Sequence, residues 1–114
     1  MFKENFLARK NTFSRILAAA IVEVLPGAQI AQAGLFFHGF YCDFYYSSPM
    51  SDGLLIRLEE QIRQIVREKR EIRLLEMVPF SASELLKKLE QKVRAAQVLQ
   101  QEGLVSLLRV GTFA

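Results

Sequence analysis

The chain has 114 residues, 51% of them hydrophobic and 24% charged, with a formal net charge of +3. That length suits one domain, and that balance of apolar and charged residues excludes a disordered chain while asking for no particular anionic partner. The single cysteine, Cys42, excludes an internal disulfide framework, and with His38 as the only histidine the usual zinc ligand set is missing, so a reduced, cytoplasmic setting without a metal is expected.

Residues 1–10 are mixed in character and read as a flexible lead-in. A helix is expected from Asn11 or Thr12, both fair caps, up to the stop at Pro26-Gly27. Its middle, residues 16–25, is apolar on all sides but too short to cross a bilayer. Arg15 and Glu23 near its ends mark it as a buried core helix rather than a membrane or signal segment. Asn11 and Arg15 are one turn apart and share a face.

Two apolar runs follow, residues 31–37 and 40–46, with His38-Gly39 between them. This pattern predicts a β-hairpin whose second arm is unusually aromatic. Alternation along that arm places Phe40, Cys42, Phe44 and Tyr46 on one face, the better core face. Tyr41, Asp43 and Tyr45 take the other, so Asp43 reads first as a solvated acid on an open sheet face.

Ser47-Ser48-Pro49 breaks the hairpin, and Ser51 or Asp52 can cap the next helix, expected over residues 53–69. Leu54, Leu55, Leu58, Ile62, Ile65 and Val66 form its apolar stripe, and its charges read as a solvated face. Residues 71–78 alternate loosely and read as a strand ended by Pro79. Ser81 with Glu84 is a capping-box pattern for a further helix, which either continues to Gln101 or breaks near Gln91. Gly103 closes that segment, and residues 104–110 form a last strand. The absence of a polar tail after Ala114 suggests a domain cut from a larger fold.

Together these elements predict an α+β fold over a single unit, residues 1–114. Two layers are expected: one mostly antiparallel sheet, holding the hairpin and the segments near Ile72 and Val105, and helices packed on it. Of chemistry there is little sign. No phosphate-binding glycine loop appears, no nucleophile stands beside an obvious base, and no cofactor is implied. A cysteine in an apolar strand is usually inert core, and a histidine in a turn is more often a surface residue than a catalyst.

A motif comparison goes further. The chain reads Asn11-Thr12-Phe13-Ser14-Arg15-Ile16-Leu17, then Val24-Leu25-Pro26, then Gly39-Phe40-Tyr41-Cys42-Asp43-Phe44. This resembles the editing domain of threonyl-tRNA synthetases, itself similar to that of alanyl-tRNA synthetases. There a His-x-x-x-His-Ile-Leu helix start is followed by Leu-Trp-Pro and then Gly-Phe-Tyr-Tyr-Asp-Phe, at matching spacings. Ile65-Val66-Arg67-Glu68-Lys69, Ile72 and Lys92-Val93 extend the likeness over nearly the whole chain. The aromatic motif is its most specific part.

The resemblance implies an editing-domain fold, a tRNA acceptor end as partner and a site that hydrolyses mischarged seryl-tRNA. The departures from it fall on that site. The two histidine positions hold Asn11 and Arg15, and a pocket tyrosine is replaced by Cys42. Of the family's site only the lysine is retained, as Lys92; Cys42, Asp43 and Lys92 are the pocket candidates, and the later Cys and His would lie beyond Ala114. An amide cannot replace imidazole as a proton carrier, and guanidinium stays protonated. The expectation is therefore a degenerate relative, inactive in deacylation and at most a tRNA-binding or accessory domain. The alternative is a protein interaction module that reuses the fold. Arg15 is expected to project into the remnant cleft and to meet a carboxylate there, Asp43 being a candidate if the sheet brings it near.

Overall fold

A computed structural model describes residues 2–36 and 39–114, with side chains over 12–34 and 39–114. Helix α1 spans Phe2–Val24. It starts a full nine residues before the Asn11-Thr12 signal, because residues 2–10 hold no Gly or Pro and are rich in good helix formers. Those two polar residues therefore sit inside the helix rather than capping it. The helix ends where Gly27 takes φ +93°, a left-handed conformation that costs glycine little. Ile16, Ala18, Ala19, Ala20, Ile21 and Leu25 are all buried. The run of alanines lets the neighbouring strands approach the helix axis closely.

Strands β1 (Gln29–Phe36) and β2 (Gly39–Tyr45) form the expected antiparallel hairpin. Phe36 is paired with Gly39, so Gly39 is a strand residue, and the connection is residues 37–38. His38 lies outside the described residues. The register slips between Ile30 and Gln32, leaving Ala31 as an extra residue in β1, a β-bulge. Cys42, Phe44 and Tyr46 pack against the core formed by α1, as alternation predicts. Phe40 does not follow them inward. It stays partly exposed and stacks on Phe13 of α1, ring centroids 6.0 Å apart.

Helix α2 (Leu54–Arg67) lays Leu54, Leu58 and Ile65 on α1, but Leu55 and Val66 of the predicted stripe are exposed. Its first turn is closed by the Ser51 carbonyl accepting from Leu54 N–H, and neither Ser51 nor Asp52 caps it through a side chain. Strands β3 (Ile72–Met77) and β4 (Val105–Val110) pair antiparallel, Ile72 opposite Val110. Between them run α3 (Pro79–Lys88) and α4 (Lys92–Val98). Pro79 opens α3 two residues ahead of the Ser81 signal, since proline at a first turn loses no hydrogen bond. Ser81 is thus helical, and Glu84 pairs with Lys87 instead of reaching back. The break near Gln91 is real, with Glu90 at φ +60°.

The fold is α+β with helices on antiparallel strands, but the strands form two separate two-stranded sheets rather than one. The reason lies at the free edge of β1. The Gln91 side chain accepts from Ile30 N–H (2.9 Å) and donates to the Ala28 carbonyl (3.0 Å), bonds that a neighbouring strand would otherwise make. Gln29 repeats the exchange, donating to the Glu90 carbonyl (2.6 Å). The α3–α4 corner therefore covers the edge, and β3–β4 builds its own apolar cluster with Ala82, Leu86 and Ala95.

Candidate functional site

Side chains of three elements lie near enough to influence one another's charge. α1 contributes Arg15, β2 contributes Cys42 and α4 contributes Arg94. Arg15 is half-buried, flanked in sequence by buried Ser14 and Ile16. Cys42 stands opposite Ala33 on the strand face that packs on α1. Arg94 is buried, 6% exposed. Its position follows from the Gln91 clamp, which seats α4 against β1, and from Ser83, whose hydroxyl donates to the Ala95 carbonyl (2.8 Å) and ties α4 to α3.

The last residues complete the enclosure of Arg94. Gly111, at φ +63°, lets the chain reverse so that Val110 N–H donates to the Phe113 carbonyl (2.7 Å). That turn lays the Phe113 ring 5.2 Å from the Arg94 guanidinium carbon. It also brings the Ala114 main-chain oxygen to Arg94 Nη2, which donates to it. A cation over a ring face and an oxygen acceptor both favour the charged guanidinium.

The electrostatics are those of a buried cationic pair. Burial pushes Arg94 down to about 10, and the neighbouring Arg15 charge adds to the fall. Burial likewise lowers Arg15, partly offset by Cys42. Burial pushes the Cys42 thiol up to about 11, against the pull of both arginines. The thiol is therefore neutral near pH 7 and a poor nucleophile, while both guanidiniums keep their protons. Nε of Arg15 and Nε of Arg94 are buried without an acceptor, and no Asp or Glu side chain pairs with either arginine among the described residues.

The other sequence candidates lie elsewhere. Asp43 is exposed on the opposite face of β2, in an open depression of about 640 Å³ shared with Ala31, Gln32, Phe44, Tyr45 and Gln97. It does not pair with Arg15, because strand alternation separates it from Cys42 and turns it away from α1. Lys92, at the start of α4, is exposed. The side chain of Asn11 lies outside the described residues. Arg94 is the residue that motif reading passes over. Its signal was an arginine set among Val93, Ala95 and Val98 just after a helix break, a place where a cation is either buried or misassigned. Among the described residues no group of His, Cys, Asp and Glu is placed to hold a metal ion, and no helix is long and apolar enough to cross a membrane.

No model of a known protein family matches the chain. Individual proteins do, and those described here are threonine–tRNA ligases. The ligase of Clostridium perfringens is 33% identical over 111 residues, which is 97% of this chain and 17% of the ligase. That of Marinobacter nauticus is 26% identical over 106 residues, 91% of this chain and 16% of the ligase. That of Borrelia garinii is 28% identical over 68 residues, 59% of this chain and 12% of the ligase. The chain spans about a sixth of the length of the Clostridium perfringens ligase, and the likeness runs along nearly all of the chain. The chain is thus similar to one segment of threonine–tRNA ligases.

Proposed function

We propose that this segment is an editing-domain-like unit that has kept the fold and lost the deacylation chemistry, and that it contacts the acceptor end of tRNA as an accessory element, in a cytoplasmic setting. The observation that carries the reading is the chemistry at Arg15. The second histidine position of the motif holds a guanidinium that stays charged at neutral pH, beside a thiol that stays protonated. Ester hydrolysis needs a positioned group that exchanges a proton near the working pH, and neither side chain does so. Lys92 is exposed at the start of α4, and its cation suits contact with a nucleic-acid backbone.

The test is deacylation of a threonine tRNA mischarged with serine, comparing the chain, the Asn11→His, Arg15→His double variant and a protein-free control. The expected result is the uncatalysed rate in all three. Turnover by the natural chain rejects the reading; turnover by the double variant alone shows a pocket more complete than described. In parallel, fluorescence anisotropy with tRNA should report binding that weakens steeply with salt, as phosphate contacts require.

A protein interaction module is the second reading. It draws on the outward apolar residues Leu55 (79% exposed) and Ile56 (63%) of α2 and Leu74 (60%) of β3. Absence of tRNA binding at low salt would favour it.

A further inference from the structure

A sheet edge shows its main-chain N–H and C=O groups to whatever lies beside it, and folded chains cover or blunt such edges. The edge of β1 is covered by Gln91. β3 pairs with β4 on one side only, in an unbroken register from Ile72 opposite Val110 to Met77 opposite Val105, with no bulge to turn its other edge aside. Gly111 N–H donates to the Glu71 carbonyl (2.8 Å). By antiparallel alternation Glu71, Arg73, Leu75 and Met77 therefore turn their main-chain groups to β4, and Ile72, Leu74 and Glu76 turn theirs to the open side. The side chains of those three share one face, on which all three are exposed. At the Ile72 end that face meets an apolar cavity of about 240 Å³, lined also by Phe13, Ile16, Val66, Val110 and Lys69. Lys69 and Glu76 are exposed and in no ion pair among the described residues. Directly after the strand, Val78 keeps extended backbone and stands 53% exposed.

We propose that β3 is the seat of a two-fold homodimer, in which β3 of a second copy lies antiparallel along this open edge. A two-fold axis normal to the sheet keeps each residue on its own face, so open-side residues must pair with one another. With Leu74 opposite its own copy on the axis, Ile72 stands opposite the partner's Glu76, and Glu76 opposite the partner's Ile72. All three residues then exchange main-chain bonds across the axis. No like charges face each other, since Arg73 stands opposite the partner's Leu75. The partner's Glu76 arrives at the cavity end of the edge, where Lys69 lacks an acid. The partner's Val78, two residues on and on the same face, passes Arg70 in the cavity wall. The contact closes on itself: each copy gives one edge, one cavity and one Glu76–Val78 end, and meets the same in return. An unrelated extended peptide could add to the edge as well. A second copy brings an acid and a valine at the spacing that Lys69 and the cavity ask for, and covers a valine that the single chain leaves in water. This goes beyond the tRNA reading and does not depend on it. Of the residues behind the interaction-module reading it uses Leu74 alone.

The experiment is analytical ultracentrifugation of the whole chain, without nucleic acid, across a concentration series. The expected result is a reversible monomer–dimer equilibrium. Leu74→Lys sets two cations face to face on the axis and should abolish the dimer. Its circular dichroism should match that of the natural chain, because Leu74 is exposed. The charge pair gives an independent check. Glu76→Lys should weaken the dimer about tenfold, as like charges replace both pairs, and Lys69→Glu should do the same. The double variant Lys69→Glu, Glu76→Lys should regain the natural affinity. Leu55→Lys, on the exposed side of α2, should leave it unchanged. A chain that stays monomeric up to about 1 mM, the weak end of specific association, overturns the proposal. So does a dimer indifferent to Leu74→Lys, a dimer broken by Leu55→Lys, a charge swap that restores nothing, or growth into open-ended oligomers. A monomer that binds tRNA fails this proposal alone. A dimer with the expected variant pattern that binds no tRNA fails the tRNA reading alone.

Discussion

The two faces of β2 (Gly39–Tyr45) are built from adjacent residues and behave as different solvents. Cys42 looks toward α1 into a space where burial, two arginines and an aromatic ring set the chemistry. Asp43, one residue on, looks outward into an open depression with Gln32 and Gln97. The difference teaches that strand alternation alone can keep the motif's acid from the cations that would pair with it. An aromatic-rich motif with a carboxylate in the middle is therefore no guarantee of a carboxylate in the pocket. What fills the pocket instead is set by α4, an element distant in sequence and held by one buried amide.

That amide is the place to break the inner face. Gln91→Ala should strand Ile30 N–H and the Ala28 carbonyl in the interior. The cost should be about 3 kcal/mol, summed over two unpaired buried groups. Urea denaturation followed by circular dichroism gives the number. A loss below about 1 kcal/mol, no more than an ordinary hydrogen bond, would mean that water or a rearranged chain replaces the amide. The outer face, with Asp43, should keep its hairpin register in that variant.

Next in size is the turn that closes the pocket from the C-terminal side. Gly111→Ala puts a Cβ on a residue at φ +63° and 3.1 Å from Arg70 Cδ. Left-handed strain costs roughly 1–2 kcal/mol, and Arg70, tied to Glu23 and Glu68 at 2.7 Å each, yields with difficulty. The same denaturation series should show that loss. Thiol reactivity at Cys42 should rise if Phe113 and Ala114 leave Arg94 and the inner face opens.

Much of this was legible in the sequence. The hairpin, α2, β3 and β4 follow from period and punctuation, and Pro26-Gly27 ends α1 where expected. The inward set Cys42, Phe44 and Tyr46 follows from alternation. Local signals failed where a competing local signal was stronger. Pro79 outweighed Ser81 as a helix start, and unbroken helix formers outweighed Asn11 and Thr12. The separation into two sheets and the burial of Arg94 were not legible. Both depend on Gln91 meeting a strand edge 61 residues away, and glutamine carries no local mark of such a partner.

The pH response sharpens the comparison with a smaller effect. The ordinary thiol value is 9.0, and the folded Cys42 thiol sits at about 11. As pH rises past about 9, the unfolded chain releases this proton first, so the folded state loses stability up to the folded value. Arg94 acts in the opposite sense above about 10, because its depressed value makes the folded chain the first to deprotonate there. The net fall should therefore concentrate between about pH 9 and 10. Cys42→Val should abolish that fall in denaturation curves measured across the range. A natural chain with flat stability through it would place the thiol in a wetter site than described.

The smallest effect tests whether the two faces are independent. Asp43→Asn is exposed and unpaired in any ion pair among the described residues, so its stability change should lie within about 0.5 kcal/mol. Its charge still reaches the thiol through the strand, where it is the weakest of the influences on Cys42 and acts to raise its pKa. Removing it should lower the midpoint of thiolate formation, read from ultraviolet absorbance of the thiolate against pH. Arg15→Gln should move the same midpoint upward, since Arg15 pulls the thiol down. Opposite displacements of one thiol by residues on opposite faces would show that alternation separates contact but not field. A larger displacement from Asp43→Asn than from Arg15→Gln would mean that the acid lies nearer the inner face than strand geometry allows, and the partition of β2 into two faces would fail.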